Sequence, residues 1–301
     1  MSNSVLAQAS NPGPRWGYAF LRIADRVLPE AVYRPARALG TWIALLFMPA
    51  QQRHSRAYLR IILQREPKWI DLFRHFFALE EMLMAKLRTA EGRTHRGVLA
   101  PDAADFQAYI KSGEPAFLGT FHLAHSDLTG FLVGGQEHRR IAIIRQRVGN
   151  SEDTDLLQSR FDQWIKFIWV NQDNNLLFAI KDAVNDGWSI AMKCDRVEFS
   201  SKTEGFQFLG ARRCFPFTIY HLAMIFNRPV LLSMGLPIDA ESTRIESSPA
   251  WRPIPEQSRG ENLARARDHF QAFLNRVEAV LQEHPYWWFN FLPLNPKEPA
   301  R

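Results

Sequence analysis

The sequence predicts an α/β protein, a mostly parallel central sheet flanked by helices, with a helical N-terminal third. Three observations carry this expectation. Through the first hundred residues, apolar positions recur at helical spacing between Pro29 and Pro49. Beyond them, short apolar runs alternate with amphipathic stretches, the pattern of strands joined by crossover helices. Hydrophobic residues make up 46% and charged residues 23%, a globular balance.

Taken in order, residues 1–14 read as a flexible tail. Helices are expected near 16–28, 31–48 and 51–64. A further helix follows in "PKWIDLFRHFFALEEMLMAKLRT", where Ile70, Phe73, Phe76, Phe77 and Met84 lie near helical spacing. "AFLGTF" and "RIAIIRQ" read as strands, "DTDLLQSRFDQWIKF" as an amphipathic helix with Ile165 on its inner side, and "IWVN" as a strand. "NNLLFAIKDAVNDG" reads as a helix stopped by Gly187. "WSIAMKC" is a strand, "TIYHLAMIFNR" a helix ended by Pro229, and "PVLLSMGL" a strand. The long helix "ENLARARDHFQAFLNRVEAVLQEHP" turns Leu263, Phe270, Phe273, Leu274, Val277 and Leu281 inward. The expected organisation is a tail (1–14), a helical membrane-proximal region (15–100) and an α/β core (101–301).

Charge is unevenly placed. Of a net +6, residues 1–100 carry 15 Lys+Arg against 7 Asp+Glu, so the basic excess lies in the first third. There arginines interleave with Trp16, Tyr18, Phe20, Leu21, Trp42, Ile43, Leu45, Leu46 and Phe47. That mixture suits an anionic lipid surface better than a nucleic acid backbone; a soluble helical layer with a solvated arginine face is the alternative. The run "ALGTWIALLFMPA" is shorter than the roughly 20 residues of a spanning helix, so it reads as buried or interfacial. No cleavable signal peptide is visible at the start. Two cysteines, Cys194 and Cys214, imply neither a disulfide framework nor a metal cluster.

"GTFHLAHSDLTGF" (119–131) gathers His122, His125, Ser126 and Asp127 directly after an apolar run. The end of a strand in an open α/β sheet is where ligand sites form. His122 and Asp127, four residues intervening, can fold together so that the carboxylate accepts an imidazole N–H and leaves the other ring nitrogen basic. The bland alternative is a polar loop in which Ser126 or Asp127 caps the following helix. His125 reads as a wall of the cleft or an exposed residue. A metal site is disfavoured, because no third ligand beyond Asp127 stands at a recognisable spacing. "GWSIA" is one residue from a serine-hydrolase elbow, but helix and strand come in the reverse order there, so Ser189 reads as an ordinary strand residue.

Here the chain resembles the lysophospholipid and lipid A biosynthesis acyltransferases, the lauroyl and myristoyl transferases among them. "GTFHLAHSD" is similar to their block in which a strand ends in Gly-x-His and Asp or Glu follows after four residues. "AIIRQRVGN", "WSIAMKCDRVEF", "FQFLGARRCFPFTIYHLAMIFNRPVLL" and "EHPYWWFNF" resemble later blocks in the same order, from about residue 15 to 293. The resemblance implies His122 as general base and Asp127 as its orienting carboxylate. It implies Arg145, with Arg147 as alternative, and Asp195 around the substrate; His125 and Ser126, between His122 and Asp127 in the chain, are further candidates to line the cleft. It further implies an acyl carrier protein or coenzyme A thioester as donor, a lipid or glycolipid hydroxyl as acceptor, no metal and no other cofactor. The setting it implies is the cytoplasmic face of a bacterial inner membrane. Arg212 and Arg213, or the basic N-terminal third, are the candidate docking sites for a carrier protein. Asp127 stands where many of these enzymes have Glu, and His125 has no counterpart, so the acceptor need not be a lipid A precursor. A hydrolase using the same pair, or a non-catalytic lipid-binding protein, are the alternatives.

Overall fold

The computed structural model describes residues 15–145, 159–170, 176–197, 200 and 202–296, with 15–20 described in backbone alone. Four helices come first: α1 (Arg15–Val27), α2 (Glu30–Leu46), α3 (Pro49–Ile62) and α4 (Trp69–Ala90). Pro49 opens α3 at a position whose N–H needs no helical partner. Asp71, in the first turn of α4, accepts the Lys68 backbone N–H at 2.7 Å and so satisfies one of the orphan donors of that helix end.

The core then runs β1 (Arg96–Leu99), α5 (Ala104–Ser112), β2 (Phe117–Thr120), α6 (Ser126–Glu137), β3 (Ile141–Arg145) and β4 (Ile165–Trp169). It continues with α7 (Leu176–Asn185), β5 (Ser189–Lys193), β6 (Thr203–Phe208), β7 (Ala211–Pro216), α8 (Thr218–Phe226), β8 (Val230–Asp239), β9 (Ser242–Ser247) and α9 (Arg259–Glu283). Ser258 and Glu261 close α9 with reciprocal capping bonds of 3.2 and 2.7 Å.

The strands form a seven-stranded sheet in the order β1-β9-β8-β2-β5-β3-β4. Every pairing in it is parallel except β8 with β9. The fold is therefore α/β with a mostly parallel sheet behind a helical N-terminal region, as the alternating pattern implies. Successive residues of one strand feed opposite faces. Phe117 and Leu232 join one core cluster while Leu118 and Leu231 join the other.

Some elements differ from the sequence reading. Strand β4 begins at Ile165, inside the stretch expected to be helical; residues 153–158 of that stretch lie outside the described residues, as does the tail 1–14. Ile70 is exposed on α4 rather than inward. Strand β1 falls within the first hundred residues yet pairs in the sheet, beside β9. The Phe208-Leu209-Gly210 turn joins β6 to β7 in a separate hairpin. Leu209 and Gly210 have positive φ, 51° and 70°, the backbone twist that tight hairpins favour and that Gly210 supplies without strain.

Candidate active site

The site forms at the C-terminal ends of β2 and β5, which are neighbours in parallel register with Thr120 opposite Lys193. From β5 the chain returns past β2 to β8, so the order of the sheet reverses beside these two strands, the usual place for a ligand crevice. Two residues beyond each strand, the same register brings His122 opposite Asp195. His122 Nδ1 lies 2.8 Å from Asp195 Oδ1. The His122 backbone N–H donates to Oδ2 at 2.8 Å, and the Trp288 indole N–H to the same oxygen at 3.0 Å.

An ionised carboxylate only accepts, so the imidazole proton sits on Nδ1 and the lone pair on Nε2. Burial pushes His122 down to about 4, with help from the Arg196 charge and against the pull of Asp195. Burial acts upward on Asp195, but the His122 contact, Arg196 and Lys193 hold it below the ordinary carboxylate range. At neutral pH the pair is a neutral imidazole on a carboxylate.

The loop carrying His122 is fixed on two sides. Toward β8, the His125 N–H donates to the Gly235 carbonyl at 2.9 Å, and the Gly235 N–H to Ser126 Oγ at 3.0 Å. A Cβ on Gly235 would stand 2.8 Å from the His125 carbonyl oxygen, so only glycine permits this approach. Toward the C-terminal segment, the Ala124 N–H donates to the Trp287 carbonyl at 2.8 Å, and the Phe289 N–H to the His122 carbonyl at 2.7 Å.

Asp127 is not the partner of His122. It lies in the first turn of α6 and reaches sideways to Lys193 at 2.6 Å and to Lys86 of α4 at 3.5 Å. Burial draws its carboxyl upward, yet the two ammonium groups outweigh this and hold it well below the carboxylate range. The physical reason is charge: two lysines compete for it, whereas His122 is neutral and already bonded across the strands. Lys193 also donates to the Phe121 carbonyl at 2.8 Å.

The other expected residues divide. Asp195 is fully buried and engaged by His122, so it holds the imidazole rather than lining the cleft. Ser126 borders the cleft, but its hydroxyl oxygen is taken by Gly235. His125 turns away to Thr243, 2.8 Å from Nδ1, and lines a separate cavity between α2, α4 and the C-terminal segment. The two histidines of the motif therefore do not converge. Arg145 ends β3 in the same cleft as His122 and Asp127, with its guanidinium 6.0 Å from the Phe167 ring centre. Arg147 lies outside the described residues.

The cleft has a volume of about 130 Å³. Its polar mouth is His122, Asp127, Arg145 and Lys193, and its inner wall includes Phe106, Leu118, Phe131 and Val133. Sequence reasoning missed Lys193, Lys86 and Arg196. Two of them left a signal: Lys193 ends the apolar strand "SIAMK", and Lys86 follows Met82 by one turn on the inner stripe of α4.

Comparison with protein-family models and with curated proteins finds no match. Among solved structures, the chain is similar to the 1-acyl-sn-glycerophosphate (LPA) acyltransferase PlsC of Thermotoga maritima, at 11% identity and a TM-score of 0.38. The likeness covers 84% of this chain and 97% of that one.

Proposed function

We propose that the protein is a membrane-associated acyltransferase, moving an acyl group from a carrier-protein or coenzyme A thioester to a hydroxyl of a lipid or glycolipid. The observation that carries this is the neutral His122, backed by a buried carboxylate and set at the mouth of a cleft with an apolar wall. Its free nitrogen, Nε2, takes the proton of the acceptor hydroxyl as that oxygen attacks the thioester carbonyl. The Asp195 carboxylate stabilises the imidazolium so formed. The proton passes to the departing thiolate when the tetrahedral intermediate collapses. Lys193 and Arg145 place positive charge beside the reacting carbonyl and suit an anionic group on donor or acceptor. Asp127 holds Lys193 in place. No step calls for a metal.

The α2 surface supports the membrane part of the reading. Val32, Leu39, Ile43 and Leu46 are 51–64% exposed and lie on one side of the helix. The opposite, buried side carries Arg37 and Thr41. Arg37 is neutralised there by Glu30 and Glu80 at 2.8 and 2.7 Å. A helix whose exposed side is this apolar fits an apolar solvent on the outside. Ile23 and Val27 of α1, and Phe47 after α2, extend the exposed apolar surface. Among the described residues no helix is long and apolar enough to cross a membrane. The attachment we propose is peripheral, through this exposed apolar face, on the cytoplasmic surface of a bacterial inner membrane.

The test is product analysis. Purified protein receives a long-chain acyl-carrier-protein or acyl-coenzyme A donor, with and without vesicles of bacterial phospholipid and glycolipid. Acyl ester formed on a lipid only when vesicles are present supports the reading. Free acid formed at the same rate in both arms makes the protein a hydrolase.

A further inference from the structure

The contacts around Asp195 reach beyond the pair itself. Its carboxylate accepts three N–H groups, two of them from His122. The remaining one is the indole of Trp288, which is 1% exposed. The bonds from His122 fix the carboxylate relative to His122, but both residues sit on loops beyond their strands. A third element, the C-terminal segment that carries Trp288, bonds to the His122 loop through its backbone and to Asp195 through the indole.

Trp288 is itself held from several directions. Its backbone carbonyl accepts from His75 Nε2 at 2.8 Å, and His75 Nδ1 meets Ser55 Oγ at 2.8 Å. A carbonyl only accepts, so His75 carries its proton on Nε2 and takes the Ser55 hydroxyl proton on Nδ1. Tyr58 and Phe208 pack their edges against the indole at 5.2 and 5.4 Å. Residue 288 also bridges Leu123 of the His122 loop. A buried indole N–H needs an acceptor, and here that acceptor is the carboxylate beneath the base.

We propose that Trp288 is the positioning residue of the His122–Asp195 pair, its N–H fixing the carboxylate that holds the proton on Nδ1 and the lone pair on Nε2. The inference rests on His122 acting as the base. Among the described residues, the charged and titratable groups around that base are Asp195, Arg196, Lys193 and, in the cleft, Asp127 and Arg145. Trp288→Phe retains all of these residues and removes one N–H. With that donor gone, the carboxylate is free to turn away from Nδ1, and the imidazole proton is no longer held there.

The experiment is nitrogen NMR of histidine-labelled protein, with the His122 signals assigned by their loss in His122→Ala. Phe208→Leu is the control, because it loosens the packing around the indole and leaves the N–H untouched. In the parent protein His122 shows a single tautomer with Nδ1 protonated. In Trp288→Phe we expect averaging between the two tautomers. Phe208→Leu should keep the parent tautomer with a lower Tm. Where acyl transfer is measurable, Trp288→Phe should lower kcat on the order of tenfold or more, the range for partners that orient an active residue, with little change in KM. Parent-like His122 signals in Trp288→Phe, or equal shifts in Phe208→Leu, overturn the proposal. The NMR outcome holds even if His122 turns out to serve another reaction.

Discussion

Exchanging the two candidate carboxylates separates their roles. In Asp195→Asn the side-chain oxygen best stays where Oδ2 is now, because two N–H groups, from His122 and Trp288, converge there. The amide nitrogen then faces His122 Nδ1 with donor against donor. The ring escapes this conflict by moving its proton to Nε2, which removes the lone pair that accepts the hydroxyl proton. Loss of the correct tautomer costs about 10³–10⁴-fold in kcat, or about 4–5.5 kcal/mol of barrier. Asp127→Asn leaves the His122–Asp195 bond untouched. It takes from Lys193 and the buried Lys86 a carboxylate they share. Breaking a largely buried ion pair from one side costs about 3 kcal/mol of stability. The assay is steady-state acyl transfer alongside thermal unfolding of both variants. The expected pattern is a large kcat loss in Asp195→Asn, and a stability loss with the smaller kcat effect in Asp127→Asn. A Tm near the parent value with activity abolished in Asp127→Asn, and near-normal turnover in Asp195→Asn, would refute the partner assignment.

His122→Ala should lower acyl transfer about 10²-fold or more, the general-base range, in a folded protein, while His125→Ala, bonded to Thr243 in another cavity, should be much milder; equal losses in a rate assay contradict this. Burial pushes His75, His122 and His125 each down to about 4. Between that value and the unfolded value of about 6.5, the unfolded chain binds protons that the fold refuses. Stability is therefore unaffected by these groups above about pH 6.5 and declines as pH falls toward 4, so Tm measured against pH should drop across that window, and a flat Tm from pH 7 to 4.5 contradicts the burial of the three rings. Leu39→Asp and Ile43→Asp, both on the exposed face of α2, should weaken sedimentation with anionic vesicles while leaving Tm nearly unchanged; unchanged sedimentation removes α2 from the membrane surface.

The sheet was legible where strands are buried. "AFLGTF", "RIAIIRQ", "WSIAMKC" and "PVLLSMGL" are apolar runs, and they became β2, β3, β5 and β8 at the centre of the sheet or beside it. Strands β1 and β9 were not legible. "RGVL" and "STRIES" lie toward one edge and mix polar with apolar residues, so they carry no continuous signal. His122 was legible because it follows a strand end. Its partner was not, because the pairing depends on which strand lies beside β2. Local spacing offered Asp127, four residues on. The register of β2 with β5 offered Asp195 instead, and register between distant strands is not written in any short segment. The exposed α2 face was half legible: the apolar residues were plain, but the inward turn of Arg37 to Glu30 and Glu80 is a choice made by packing.

His122 as the base of acyl transfer to a lipid hydroxyl is tested most directly by following a radiolabelled acyl group from its thioester into products, in vesicles of bacterial phospholipid and glycolipid, for the parent protein and His122→Ala. Label is expected in an ester of a lipid acceptor with the parent protein and about 10²-fold less with His122→Ala. Label appearing only as free acid, or ester forming equally in both proteins, would contradict it.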